Sequence, residues 1–143
     1  MLFSRRVYFS LGSNIGDRQK NLERAIDSLD TVFGLPTKRL SSTYETRAEG
    51  FEGHDFLNCA LSYRTRKSPE KILDICKATE RSLGRYSDSP VFDTQGKRIY
   101  SDRTIDIDIL LYGKLRYKSP TLEIPHPRMK EREFVQKPLK EIL

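Results

Sequence analysis

An α+β fold is predicted, a ferredoxin-like βαββαβ arrangement with an antiparallel sheet, two helices covering one face, and a short C-terminal extension. Three observations predict it: two stretches with apolar residues at helical spacing, four runs with strand character, and turn residues at the junctions between them. The 143 residues read as a single domain, 1–143, because that length suits one core and neither repeats nor low-complexity tracts divide it.

The first strand is expected at residues 6–11, a β-branched and aromatic run ending at the turn signal Gly12-Ser13-Asn14. A helix follows Asp17. Leu22, Ala25, Ile26, Leu29 and Phe33 recur at i, i+3, i+4, i+7 and i+11 as one apolar stripe, and Gly34 and Pro36 stop it. Residues 39–46 read as a second strand and 56–65 as a third, with Leu57, Cys59, Leu61 and Tyr63 alternating onto one face. Ser68-Pro69 opens the second helix as an N-cap followed by proline at the first helical position. Its stripe is Ile72, Ile75, Cys76, Thr79 and Leu83, and Gly84 suits the C-terminal cap. Residues 85–102 show no clean period and read as a long loop, and 45–55 is a second long connection; such loops are usually lids, binding loops or disordered. Residues 103–112 form the most strongly patterned strand. A short fifth strand is expected near 115–117 and a brief final helix near 138–143.

Lysine and arginine outnumber aspartate and glutamate by 26 to 20, a net charge of +6, so the surface field favours anions. Nucleic acid, a nucleotide or a phosphorylated metabolite would each satisfy it. The basic residues are spread along the chain, so charge does not choose among them. No apolar run approaches the roughly 18 residues of a membrane span, and residues 1–9 lack the features of a signal peptide. Cys59 and Cys76 fall in core-forming stretches and read as buried free thiols, which suits a reducing cytoplasm. No cysteine–histidine spacing has the form of a zinc site.

The chemistry concentrates in Arg103-Thr104-Ile105-Asp106-Ile107-Asp108-Ile109. On a strand, the three isoleucines share the face under the helices. Asp106 and Asp108 share the other, with Cα atoms roughly 7 Å apart. Two carboxylates so placed repel each other unless a cation lies between them. The natural cation on an open sheet face is magnesium, which takes one or two protein carboxylates and completes its shell with water and phosphate oxygens. Taken alone, the alternation is also that of a solvated strand face. A basic surface and two long loops move the reading towards a metal-assisted phosphate site.

That segment, followed by Ile124-Pro125-His126-Pro127-Arg128-Met129-Lys130-Glu131-Arg132-Glu133-Phe134, resembles the signature of the hydroxymethyl-dihydropterin pyrophosphokinases of folate biosynthesis. Leu11-Gly12-Ser13-Asn14-Ile15-Gly16 resembles the family's opening loop. Ser42-Thr43-Tyr44-Glu45-Thr46 and Asp55-Phe56-Leu57-Asn58 resemble the strands flanking its first mobile loop, and Glu80-Arg81-Ser82-Leu83-Gly84-Arg85 the end of its second helix. The resemblance implies transfer of the β,γ-diphosphate of ATP to the hydroxymethyl group of the dihydropterin, releasing AMP. It implies Asp106 and Asp108 as ligands of two magnesium ions, and Arg85, Arg103, His126 and Arg132 as contacts of the ATP phosphates, with Glu80 and Ile109 also in the nucleotide site. Arg85 and Arg103 are counted with the two aspartates as catalytic. Phe56 and Phe134 match the stacking pair for the pterin, Asn58 reads its amide-like edge, and Thr46 with the backbone near Glu49 completes that edge. Without the resemblance, Phe56 and Phe134 read as core, His126 as a surface histidine in a proline turn, and Glu80 as an exposed helix charge.

Relatives usually carry a second arginine where this chain has Ser87; Lys97 and Arg98 are expected to replace it in a lid over the nucleotide. A monomer with no nucleic-acid or membrane partner is expected, either free or cut from a longer folate-synthesis polypeptide. Two alternatives stay open on the residues alone: a ferredoxin-like nucleic-acid-binding module, and another magnesium-dependent transferase using the Asp-x-Asp pair. The first would set a phosphate backbone against Asp106 and Asp108, and the second would release ADP or pyrophosphate instead of AMP.

Overall fold

The computed structural model describes residues 4–47, 55–84, 91, 92, 94, 95, 98, 99 and 104–143. The strands are β1 (Arg5–Ser13), β2 (Arg39–Leu40), β3 (Tyr44–Thr46), β4 (Phe56–Thr65), β5 (Val91–Phe92), β6 (Arg98–Ile99), β7 (Asp106–Tyr112), β8 (Tyr117–Lys118) and β9 (Glu123–Ile124). The helices are α1 (Arg18–Phe33), α2 (Pro69–Ser82) and α3 (Glu133–Ile142), with a turn of 3-10 helix at Met129–Glu131. The main sheet runs β2-β4-β1-β7, with β3 also paired to β4, and every pairing is antiparallel. This is the α+β, ferredoxin-like architecture expected.

Alternation along each strand decides where the core sits. Val7, Phe9 and Leu11 of β1, Cys59, Leu61 and Tyr63 of β4, and Ile107 and Ile109 of β7 meet Leu22, Ala25 and Leu29 of α1 and Ile72 and Cys76 of α2. Both helices start where expected. Asp17 accepts the Lys20 backbone N–H at 3.1 Å, and Ser68 accepts that of Lys71 at 3.2 Å, satisfying donors that the first helical turn leaves open. Cys59 and Cys76 are free and buried, and burial pushes the Cys59 thiol up to about 12. Among the described residues no helix is long and apolar enough to cross a membrane.

Several boundaries differ from the sequence expectation. β1 runs on through Gly12 and Ser13, because Gly12 pairs with β4 on one side and β7 on the other. The expected second strand divides into β2 and β3 at Ser41, whose hydroxyl accepts the Ala60 N–H at 2.8 Å in place of a backbone carbonyl. Part of the expected loop 85–102 is a short hairpin, with Val91 opposite Ile99 and Phe92 opposite Arg98. Two paired residues per strand are too few to show a period. β8 lies at Tyr117–Lys118, where it pairs with β9.

The final helix is longer than expected. Pro138, read from the sequence as its start, lies inside α3, where Val135, Pro138, Leu139 and Ile142 form a buried stripe. That stripe packs α3 against the second face of the sheet, with Leu110, Met129, Val135 and Leu139 forming a separate apolar cluster. Leu110 lies on that face by alternation with Asp106 and Asp108; it is also the extra residue of a β-bulge, since Leu111 faces Tyr8 and Ile109 faces Phe9, and the bulge turns Tyr112 into the core.

Candidate active site

On the second sheet face, Gly12 of β1 lies opposite Asn58 of β4 and opposite Asp106 of β7. The next row of the same face is Ala60, Ser10 and Asp108. With strands ~4.8 Å apart, the Cα atoms of Asn58 and Asp106 are about 10 Å from each other across the glycine. A Cβ on Gly12 would stand 2.8 Å from Asn58 Oδ1 and 3.2 Å from Phe56 Cδ1. Absence of a side chain at residue 12 therefore lets both groups lean over the middle strand. A glycine inside a strand signals this kind of close approach, and reading Gly12 as a turn residue missed it.

Asn58 is only 3% exposed, and its Nδ2 donates to Thr46 Oγ1 at 2.7 Å. That bond fixes the orientation of the amide. Thr46 stands opposite Phe56 in the β3–β4 pairing. Phe134, near the start of α3, packs on the second apolar cluster, and the Arg132 guanidinium lies 5.6 Å from its ring centre. Among the described residues the ring contacts are those of Phe9, Phe33 and Tyr63, so Phe56 and Phe134 do not stack on each other. Both are half-buried.

Asp106 and Asp108 are half-buried on one face, while Ile105, Ile107 and Ile109 are buried on the other. The Ile109 side chain is thus in the core, and only its backbone is on offer to a nucleotide. Glu80 corrects the reading of an exposed helix charge. It is 2% exposed, and its Oε2 accepts the backbone N–H of Ile107 at 2.8 Å. Ile107 separates the two aspartates, so α2 pins the backbone between them. The Lys77 ammonium stands 3.8 Å from the other Glu80 oxygen. Glu80 lies beside Thr79 on the buried stripe of α2; a carboxylate there needs a donor, and the outer edge of β7 supplies one.

His126 is tied to the bulge, its backbone N–H donating to the Leu110 carbonyl at 2.9 Å. Its Nδ1 accepts the Arg128 N–H at 3.2 Å, which leaves Nε2 to carry the proton of the neutral ring. Burial, then the charge of Arg132, lowers its pKa, and Asp106 acts in the opposite sense. The Arg132 Nε is buried and has no hydrogen-bond partner among the described residues. Glu49, Arg85 and Arg103 lie outside the described residues, as do Ser87 and Lys97 of the expected lid.

The family model described as 7,8-dihydro-6-hydroxymethylpterin-pyrophosphokinase matches residues 8–143. A 2-amino-4-hydroxy-6-hydroxymethyldihydropteridine pyrophosphokinase of Porphyromonas gingivalis is 45% identical over 138 residues, spanning 95% of this chain and 89% of that protein. The protein of the same name from Bacillus subtilis is 39% identical over 137 residues, spanning 95% and 77%. A mitochondrial folate synthesis bifunctional protein of Pisum sativum is 39% identical over 138 residues, spanning 96% of this chain and 25% of that protein. The matched region takes in Gly12, Asn58, the two aspartates, His126 and Phe134. The chain belongs to the 7,8-dihydro-6-hydroxymethylpterin-pyrophosphokinase family.

Proposed function

We propose that the chain transfers the β,γ-diphosphate of ATP to the hydroxymethyl group of 6-hydroxymethyl-7,8-dihydropterin, releasing AMP, as a step of folate biosynthesis. The observation that carries this is the row Asn58, Gly12, Asp106. It sets an amide reader and a phosphate-site carboxylate side by side across a strand position with no side chain. The heterocycle lies over Gly12 between Phe56 and Phe134, with its amide edge on Asn58, Thr46 and the backbone near Glu49. Its hydroxymethyl arm extends along the row towards Asp106.

Asp106 and Asp108 hold two magnesium ions. Their donor chemistry fits: two hard carboxylates share a face, which suits a cation that takes one or two protein carboxylates and would fill its other positions with water and phosphate oxygens. Bound magnesium supplies charge neutralisation at the phosphates. Glu80 keeps the two carboxylates in register by holding the Ile107 N–H. His126 donates from Nε2 to a phosphate oxygen, Arg132 adds positive charge beside it, and Arg85 and Arg103 serve the same phosphates. The Ile109 backbone meets the nucleotide. Residues 1–143 act as one domain and as a cytoplasmic monomer, a setting supported by the two free buried thiols.

Incubating the protein with the hydroxymethyl-dihydropterin, ATP and magnesium tests the reaction directly. AMP is the expected nucleotide product. ADP would mean a simple kinase, pyrophosphate a nucleotidyl transferase, and either would overturn the reading.

A further inference from the structure

We propose that Arg18, the first residue of α1, is a positioning residue for the heterocycle site, holding Thr46 and Phe56 at a fixed spacing from the far side of the sheet. The inference rests on the reading of Thr46, Phe56 and Asn58 as pterin contacts. The Arg18 Nη1 is 2.8 Å from Glu45 Oε2 and donates to the Asp55 carbonyl at 2.7 Å. Glu45 is the residue before Thr46, and Asp55 the residue before Phe56. One guanidinium therefore grips both chain segments that carry those contacts, at the point where β3 and β4 begin to pair. Successive residues of a strand point to opposite faces, so the Glu45 carboxylate meets Arg18 on the face opposite Thr46, while the second contact goes to the Asp55 backbone.

Two features show that this arginine is not placed to stabilise its own helix. The dipole of α1 disfavours a cation in the first turn, and Arg18 stands there with no acidic residue in that turn. The ion pair is also partly solvated, with side chains 29% and 56% exposed, and pairs of that kind add little to global stability. β3, in contrast, needs outside support. It has three residues and, among the described residues, takes its ladder from β4 alone. At its other end Glu141 of α3 accepts from the Ser42 N–H and hydroxyl and from the Tyr44 hydroxyl. Arg18 is the second anchor, beside a polar cavity of about 340 Å³ lined by Asn14, Gly16, Arg18, Glu45 and Asp55. That open space allows substitution without overpacking.

The test compares Arg18→Gln, Glu45→Gln and the double variant in steady-state kinetics, with Asn58→Ala as a reference for the heterocycle site. Arg18→Gln should raise KM for the pterin about fivefold, Glu45→Gln should do nearly the same, and the double variant should be no worse than the more impaired single one. KM for ATP should stay within about twofold, and Tm should fall by no more than about 4 °C. Arg18→Lys, which keeps the charge but loses the fork, should recover only part of the loss. Unchanged pterin KM in Arg18→Gln while Asn58→Ala is impaired overturns the role of Arg18 alone. Unchanged pterin KM in both overturns the heterocycle site and this inference with it. An equal rise in KM for pterin and ATP overturns the positioning role in favour of a general folding defect.

Discussion

Asp106 and Asp108 stand two residues apart on one strand face, with the backbone between them held by Glu80. On the role proposed for the pair, truncating either aspartate would remove a magnesium ligand and several kcal/mol of charge stabilisation at the reacting phosphates. It also relieves repulsion between neighbouring carboxylates. Asp106→Ala and Asp108→Ala should each retain less than about a tenth of the turnover, with Tm equal to or above that of the parent protein. Turnover above that level in either variant would remove the metal assignment. Gly12 makes a different prediction. An alanine Cβ would press on Asn58 Oδ1, and that amide is held by its bond to Thr46. The amide has to turn or the strand has to move. Gly12→Ala should therefore raise pterin KM by about tenfold or more, with an overpacking cost of about 1–3 kcal/mol, while affinity for an ATP analogue changes little. Equal loss for both ligands would mean that the strand itself had been displaced.

At the scale of elements, α3 joins the proposed heterocycle site to the sheet edge. Glu141 near its end holds Ser42 and Tyr44, and the hydrogen bonds from Ser42 and Tyr44 keep its carboxyl below the ordinary value of 4.5. A folded value below the unfolded one adds stability above the unfolded pKa, lost as pH falls through the folded value. Glu141→Gln should therefore melt below the parent protein at pH 7, and the gap should be smaller at an acidic pH below the ordinary value of 4.5. An equal gap at both pH values would assign the effect to packing. Phe134, at the other end of α3, should matter to the heterocycle: Phe134→Ala should weaken pterin binding about fivefold or more in calorimetric titration and leave an ATP analogue unaffected. Elements with local signals were legible in the sequence. Asp17 and Ser68 capped the helices where the stripes began, and β4 kept its expected bounds because its alternation faces one core. The sequence pattern places the start of α3 at Pro138, since a proline reads as a helix start when its packing partners are unknown, whereas α3 begins at Glu133. Ser41 divides a strand through a bond to Ala60, and Glu80 finds its donor on β7; both depend on residues far along the chain. The aspartate pair was legible from residue type and spacing and Asn58 through the family resemblance, whereas the row joining them required the register of three strands.

For the whole molecule, the consequence is that ligand binding and global stability are coupled. The proposed site draws on β1, β3, β4, β7, α3 and the segment carrying His126, so its parts come from residue 12 to residue 134 and unfolding disperses all of them. A ligand that binds only the assembled site should raise stability by about 2.7 kcal/mol at a hundred times its Kd. For a chain of 143 residues that corresponds to a Tm increase of roughly 8–10 °C. The net charge of +6 attracts the triphosphate to the protein at long range. At the proposed site, Asp106 and Asp108 would oppose it unless a divalent cation intervened. A non-hydrolysable ATP analogue should therefore raise Tm strongly with magnesium and weakly after treatment with EDTA. Asp108→Ala should narrow that difference, because part of the repulsion and part of the metal site disappear together. The measurement is a thermal melt at fixed analogue concentration, with and without chelator, at low and physiological salt. Attraction by the general surface charge would fade with added salt, whereas a cation-bridged site would persist, since close or partly buried charges are screened less. An analogue-induced rise of the same size with EDTA as with magnesium would place the triphosphate away from the carboxylate pair and separate nucleotide binding from the Asn58, Gly12, Asp106 row.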